Sequence, residues 1–257
     1  MVDGAASRLR RGYDRRSLVA LAALVVVGGA VGYRFSDLID VSGGFDYLLA
    51  FTWLVMTALL VWNVDARHDL TLLVVAFAGG AVIEWWGTST QLWSYFTVER
   101  PPLWILPAWP IAALAIDRLA VGLHAAFRAR GTERQYRALY WLIMPGFIAA
   151  MTRFAWPTIH MRATLVVVAL MLALLVTVRD HRRDVTMFAG GSLLGFFLEY
   201  WGTSRECWTY YTREVPPLEC VFAHGFAAIA FARGAALAER LVAVALAVAP
   251  RRTGIQA

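Results

Sequence analysis

The chain has 257 residues, 60% of them hydrophobic and only 16% charged, and its mean hydropathy is +0.58. A soluble domain carries about 25% charged residues, so the composition argues against an ordinary water-soluble globule. The formal charge of +6 is carried entirely by Arg, because no Lys occurs; chemistry through a Lys Schiff base, as in a retinal-binding pump, is excluded.

In chain order, eight apolar blocks are expected as helices, over 17–35, 45–63, 70–88, 102–127, 136–154, 162–178, 185–203 and 217–249. Their lengths suit the ~30 Å of hydrocarbon that about 20 helical residues cross. The 11 Trp and nine Tyr gather near block ends, where amphipathic rings favour the membrane–water interface. The Arg-rich start followed by an apolar run has the look of a signal peptide, but no small-residue cleavage site follows, so a retained helix is expected.

The second half copies the first. Residues 84–103 read EWWGTSTQLWSYFTVERPPL and residues 199–218 read EYWGTSRECWTYYTREVPPL, with twelve of twenty positions identical at an offset of 115. The same offset pairs Asp65, Arg67, Asp69 and Thr71 with Asp180, Arg182, Asp184 and Thr186, and Arg118 with Arg233. Nearer the N-terminus the offset is 119, which places four extra residues of the first copy in the loop around 36–44. The expected fold is therefore all-α: a polytopic transmembrane bundle of eight spans, built as two tandem parallel four-helix repeats over 1–127 and 128–257. An even number of spans per copy gives both copies one orientation, related by an axis along the membrane normal.

Arg placement sets the topology. Most Arg lie at the N-terminus, the 64–69 and 179–184 turns, the 124–137 loop and the C-terminus; the opposite connections hold only Arg34, Arg100, Arg153, Arg162, Arg205 and Arg213. Positive charge stays inside, so both termini are expected in the cytoplasm of a multi-pass plasma-membrane protein. This bias also accounts for the basic charge without nucleic-acid binding. Arg118 and Arg233 are expected to snorkel to the cytoplasmic headgroups.

Glu84 and Glu199 are the main functional pointer. Glu84 lies 15 residues beyond Asp69, about 22 Å along a helix and still within hydrocarbon. A carboxylate there costs at least about 2.5–3.5 kcal/mol unless it faces the bundle interior or is paired. Two readings stand: ion pairs Arg34–Glu84 and Arg153–Glu199, or carboxyls serving catalysis or ligand binding. Trp86, Thr88, Trp93 and Tyr95, with Trp201, Thr203, Trp208 and Tyr210, form either an interfacial belt or the roof of an aromatic pocket. Helices three and seven are expected to end at the Gly of Trp-Gly-Thr, and the Pro-Pro pairs to start the next helix. Pro107, Pro110 and Pro145 are expected to kink their helices or line a cavity.

The copies diverge where Trp104, Ile105 and Trp109 are matched by Glu219, Cys220 and His224. Cys220 and His224 share a helix face. His224 and Glu219 join Glu84 and Glu199 as candidate catalytic groups, and a Cys207–Cys220 disulfide is an open alternative. One Cys and one His fall short of a zinc signature, so no metal and no cofactor are expected.

The run Glu84-Trp85-Trp86-Gly87, Trp93-Ser94-Tyr95, Pro102-Leu103 and Pro107-Ala108-Trp109 resembles the membrane carotenoid-biosynthesis proteins that include the acyclic carotenoid hydratases. The resemblance covers about 30 residues per copy and implies protonation of an isolated alkene by a buried Glu, followed by addition of water, without a cofactor. It implies an isoprenoid or other apolar lipid as partner. A proton- or cation-coupled transporter and a non-catalytic subunit of a membrane complex are the alternatives, and self-association into a homo-oligomer stays open.

Overall fold

The computed structural model describes residues 13–34, 36, 46–127 and 130–248. Among them are eight α-helices and two short strands: α1 (Arg15–Arg34), α2 (Asp46–Leu60), α3 (Ala66–Ser89), β1 (Trp93–Tyr95), α4 (Ala108–Phe127), α5 (Glu133–Phe154), α6 (Arg162–Val176), α7 (His181–Ser204), β2 (Trp208–Tyr210) and α8 (Leu218–Val248). Helices α1, α3, α4 and the Leu218–Ala245 part of α8 are long and apolar enough to cross a membrane; α2 and α6 are apolar but only 15 residues long. The 36–44 loop, the Arg8–Arg11 cluster and the C-terminal Arg251 and Arg252 lie outside the described residues, apart from Ser36.

Helix starts follow from local chemistry. Asp65 caps α3 by accepting the Arg67 and His68 backbone N–H groups at 3.1 and 3.2 Å, and Asp180 caps α7 by accepting that of Arg183 at 2.9 Å. Thr132 and Gln135 form a reciprocal capping box on α5.

Burial on α2 is the reverse of what water dictates. Its buried residues are Asp46, Thr52 and Thr57, while Phe51, Trp53 and Leu54 are exposed. Likewise α1 buries only Ser17 and exposes a run of Val and Leu. Apolar surface that faces outward while polar groups face inward suits hydrocarbon as the surrounding solvent.

The ion pairs correct one expectation. Arg118 and Arg233 do not snorkel. Arg118 is buried, with Nη2 on Asp69, Nη1 donating to Asp117 at 2.9 Å and Nε donating to the Trp62 carbonyl at 2.9 Å. Arg233 pairs with Asp184 in the same way. A guanidinium at this depth finds fixed acceptors within the bundle, so it has no need to reach water.

Two helix boundaries also differ from expectation. Helices α3 and α7 run past Gly87 and Gly202 to Ser89 and Ser204. These glycines are packing positions: a Cβ on Gly87 would lie 1.9 Å from the Trp93 ring, and one on Gly202 1.9 Å from the Trp208 ring. Helix α4 begins at Ala108, so Pro107 precedes it and Pro110 sits in its first turn, where proline is tolerated. Neither interrupts a helix interior; Pro145 does lie inside α5.

The segments after α3 and α7 fold back and meet each other. β1 and β2 pair antiparallel with Trp93 opposite Tyr210, Ser94 opposite Thr209 and Tyr95 opposite Trp208. Exchanging every residue for the one 115 positions away leaves this register unchanged. The flanking bonds obey the same exchange: Phe96 N–H donates to the Cys207 carbonyl at 3.2 Å, and Tyr211 N–H to the Leu92 carbonyl at 3.0 Å. The left-handed residues Gln91 and Val98 recur as Glu206 and Arg213.

The main core lies beneath this ladder, around Tyr140, Met144, Phe147 and Met151 of α5 and their neighbours on α7 and α8. Helices α7 and α8 touch through backbone: a Cβ on Gly191 would lie 2.6 Å from the Gly225 Cα, and one on Gly225 2.4 Å from the Phe188 carbonyl oxygen.

Candidate functional site

Glu84 and Glu199 stand one turn and a half before the ends of α3 and α7, both buried. The strand that follows each helix bends back over its glycine and delivers an indole and a phenol to the carboxyl. Trp93 Nε1 and Tyr95 OH donate to Glu84 Oε2 at 3.1 and 2.8 Å. Trp208 Nε1 donates to Glu199 Oε2 at 2.9 Å, and Tyr210 OH lies 3.0 and 2.9 Å from its two oxygens. Burial first pushes both hydroxyls well above the usual tyrosine range, with Glu84 next for Tyr95 and Cys220 and then Glu199 for Tyr210, so both remain protonated donors.

The fourth group comes from α4 in one half and α8 in the other. Trp109 Nε1 donates to Glu84 Oε1 at 2.9 Å, whereas His224 Nε2 lies 3.0 Å from Glu199 Oε1. These two rings stack on each other, centroids 5.5 Å apart and planes 16° from parallel. The two carboxyl cages thus meet face to face through the one pair of ligands in which they differ.

Both carboxyls line a single cavity of about 450 Å³. Trp86, Trp93, Tyr95, Trp208, Tyr210 and His224 line it with them, and apolar side chains such as Phe147, Met171 and Phe231 complete its wall. Trp86 is fixed by donating its N–H to Thr164 Oγ1 at 3.0 Å. That volume is within the ~300–1,000 Å³ typical of ligand pockets.

Other residues singled out in the sequence fall elsewhere. Trp201 donates to Asp46 Oδ1 at 3.1 Å and does not line the cavity. Thr88 and Thr203 each donate at 2.6 Å to a carbonyl of their own helix, those of Glu84 and Glu199. The expected Arg34–Glu84 and Arg153–Glu199 pairs are replaced: Arg34 is exposed, Arg153 pairs with Glu219 at 2.7 Å, and aromatic donors occupy both buried carboxyls. Glu219 does not line the cavity. Cys207 and Cys220 are free thiols, with Cys220 on the cavity wall, so no disulfide closes the loop. Among the described residues, no three His, Cys, Asp or Glu side chains form a group able to hold a metal. Sequence reasoning missed Trp109 as a site residue; its signals were its place in the Pro107-Ala108-Trp109 run and the polar His224 that matches it.

Fold and site together define an all-helical protein of the integral membrane type, with a caged pair of carboxyls in an apolar chamber. Among known proteins, no family model, no curated protein and no solved structure matches the chain.

Proposed function

We propose that the chain is an enzyme of the plasma membrane that acts on an isoprenoid or other apolar lipid, adding water across an isolated alkene as in the acyclic carotenoid hydratases it resembles. The observation that carries this reading is the pair of buried carboxyls on one largely apolar cavity, each held by aromatic donors. In the reaction, a carboxyl proton is taken by the alkene π pair, forming a C–H bond and leaving a tertiary cation. Indole faces and the second carboxylate stabilise the cation. A water oxygen then bonds to it, and the surplus water proton returns to the carboxylate, so the step is balanced without a cofactor.

In this reading the chain crosses the bilayer eight times as two tandem copies, 1–127 and 128–257. The repeated identities and the exchange symmetry of the β1–β2 register support duplication. The Arg bias places both termini in the cytoplasm and the ladder at the outer face. Helices α2 and α6 span only about 22 Å each, so their flanking turns and local thinning of the bilayer complete those crossings. The ion pairs Arg118–Asp69 and Arg233–Asp184 do not line the cavity, which favours chemistry at the carboxyls over a transport path through the bundle.

The test is mass spectrometry of lipid extracts from a host making acyclic carotenoids, with membrane levels of each variant matched. Wild type is expected to yield species heavier by one water. Replacing both carboxyls, Glu84→Gln with Glu199→Gln, is expected to reduce them by about 100-fold or more. Extracts unchanged by the wild-type protein would overturn the proposal.

A further inference from the structure

We infer that the two carboxyl cages have divided their labour: Glu199 and His224 form the proton-exchanging couple, and Glu84 is a fixed carboxyl held by its three donors. The role given to the proton rests on the proposed acid chemistry; the place of the proton rests on geometry alone.

The partners differ in what each is able to do with a proton. An indole N–H only donates. Glu84 accepts from two of them, Trp93 on one oxygen and Trp109 on the other, so neither partner is able to take a proton from it. Glu199 has one such indole, Trp208, and on its other oxygen an imidazole nitrogen at 3.0 Å. An imidazole nitrogen either donates or accepts according to its protonation. A proton in the His224–Glu199 bond therefore has two possible owners, and the couple is able to release it and recover it within one hydrogen bond.

The groups facing Glu199 are few. Trp208 and Tyr210 come from β2, and Cys220 and His224 from α8. Glu84 lies on the same cavity from α3, and Trp109 of α4 stacks on His224. From α5 and α6 the cavity receives only apolar side chains, among them Phe147, Met151 and Met171. Arg153, the cation of this region, is engaged with Glu219 and its side chain is 82% exposed. No cation therefore competes with His224 for Glu199 among the described residues. In the reaction, the Glu199 carboxyl gives its proton to the alkene, the fixed Glu84 carboxylate faces the resulting cation, and the Glu199–His224 couple takes the surplus proton from the added water.

The two halves also suggest interchangeable variants. A Cβ on Gly80 would lie 2.3 Å from the Trp109 ring, and one on Gly195 2.7 Å from the His224 Cβ. Since glycine makes room for the ring in both halves, His224→Trp is expected to fold with the first half's arrangement, and Trp109→His with the second's.

The experiment is an infrared pH titration of the purified full-length protein in lipid nanodiscs, following the C=O stretch of a protonated buried carboxyl. Wild type is expected to show one titrating band. The band is expected to vanish in Glu199→Gln and in His224→Trp, and to persist in Glu84→Gln. Trp109→His is expected to add a second titrating band. A band lost in Glu84→Gln and kept in Glu199→Gln would overturn the inference, as would a band unchanged in both ring variants. Hydrated product in lipid extracts together with that reversed pattern would leave the chemistry standing and this assignment fallen. The expected titration without hydrated product would support the couple and overturn the alkene reading.

Discussion

Arg118→Met is expected to destabilise the protein by about 3–5 kcal/mol, the cost of leaving a buried charge without its partner. Only 4% of the Arg118 side chain is exposed, and its loss strands two carboxylates, Asp69 and Asp117. It also frees the Trp62 carbonyl, which accepts from Arg118 Nε in the turn after α2. Asp117 keeps only His68 at 3.4 Å, and the other nitrogen of that ring is 3.1 Å from Glu239 of α8, so the damage reaches a second contact between helices. Arg233→Met should cost less, because Arg233 is more exposed, at 18% of its side chain, and strands Asp184 alone. Unfolding by sodium dodecyl sulfate in mixed micelles would measure both. Adding Asp69→Asn and Asp117→Asn to Arg118→Met should recover most of the loss, since the penalty lies in unpaired charge more than in lost attraction. Equal stability of Arg118→Met and wild type would show that these groups are not paired within the bundle.

The second large effect is expected from Gly225→Ala. The added methyl would meet the Phe188 carbonyl oxygen at 2.4 Å and Ser192 Oγ at 2.7 Å. Backbone has no rotamer to yield, so α7 and α8 must part, at about 1–3 kcal/mol for overpacking. Parting them carries His224 away from Glu199, because these residues sit on the two helices that separate. Loss of activity should therefore exceed what the fall in stability explains. Gly122→Ala and Gly146→Ala are the controls: a methyl there meets nothing within 4 Å, and alanine favours a helix interior by up to about 1 kcal/mol. These two should be neutral or slightly stabilising in the same assay. A Gly225→Ala protein as stable and active as the controls would contradict the close approach of α7 and α8.

The helical blocks and the burial of Glu84 and Glu199 were legible in the sequence because apolar runs and a lone carboxyl among them leave few alternatives. The donors to those carboxyls were legible only as a set: Trp93, Tyr95, Trp208 and Tyr210 stood out by recurrence, without any sign that they reach back to a Glu nine or 11 residues earlier. That reach depends on Gly87 and Gly202, whose missing side chains admit the indoles; glycine's more common role as a helix stop concealed it. The β1–β2 pairing joins residues more than a hundred positions apart in strands of three residues, too short to carry a periodicity. The Arg partners were misjudged for a related reason. Arg34 and Arg153 were matched to the glutamates by position along their helices alone, which says nothing of direction around the axis, and Arg153 turns to Glu219. Arg118 was given the default of a long cation near a membrane surface, whereas two aspartates on the faces it meets keep it inside.

Acid-catalysed hydration of an apolar alkene between two caged carboxyls, as proposed, can be followed with labelled water. Membranes containing the wild-type protein would be supplied with an acyclic carotenoid in water carrying deuterium and heavy oxygen, and the product analysed by mass spectrometry. The account predicts a product with one heavy oxygen in its new hydroxyl and one deuterium on the adjacent carbon. A carotenoid recovered unchanged, or a hydroxylated product whose oxygen is not drawn from water, would contradict it.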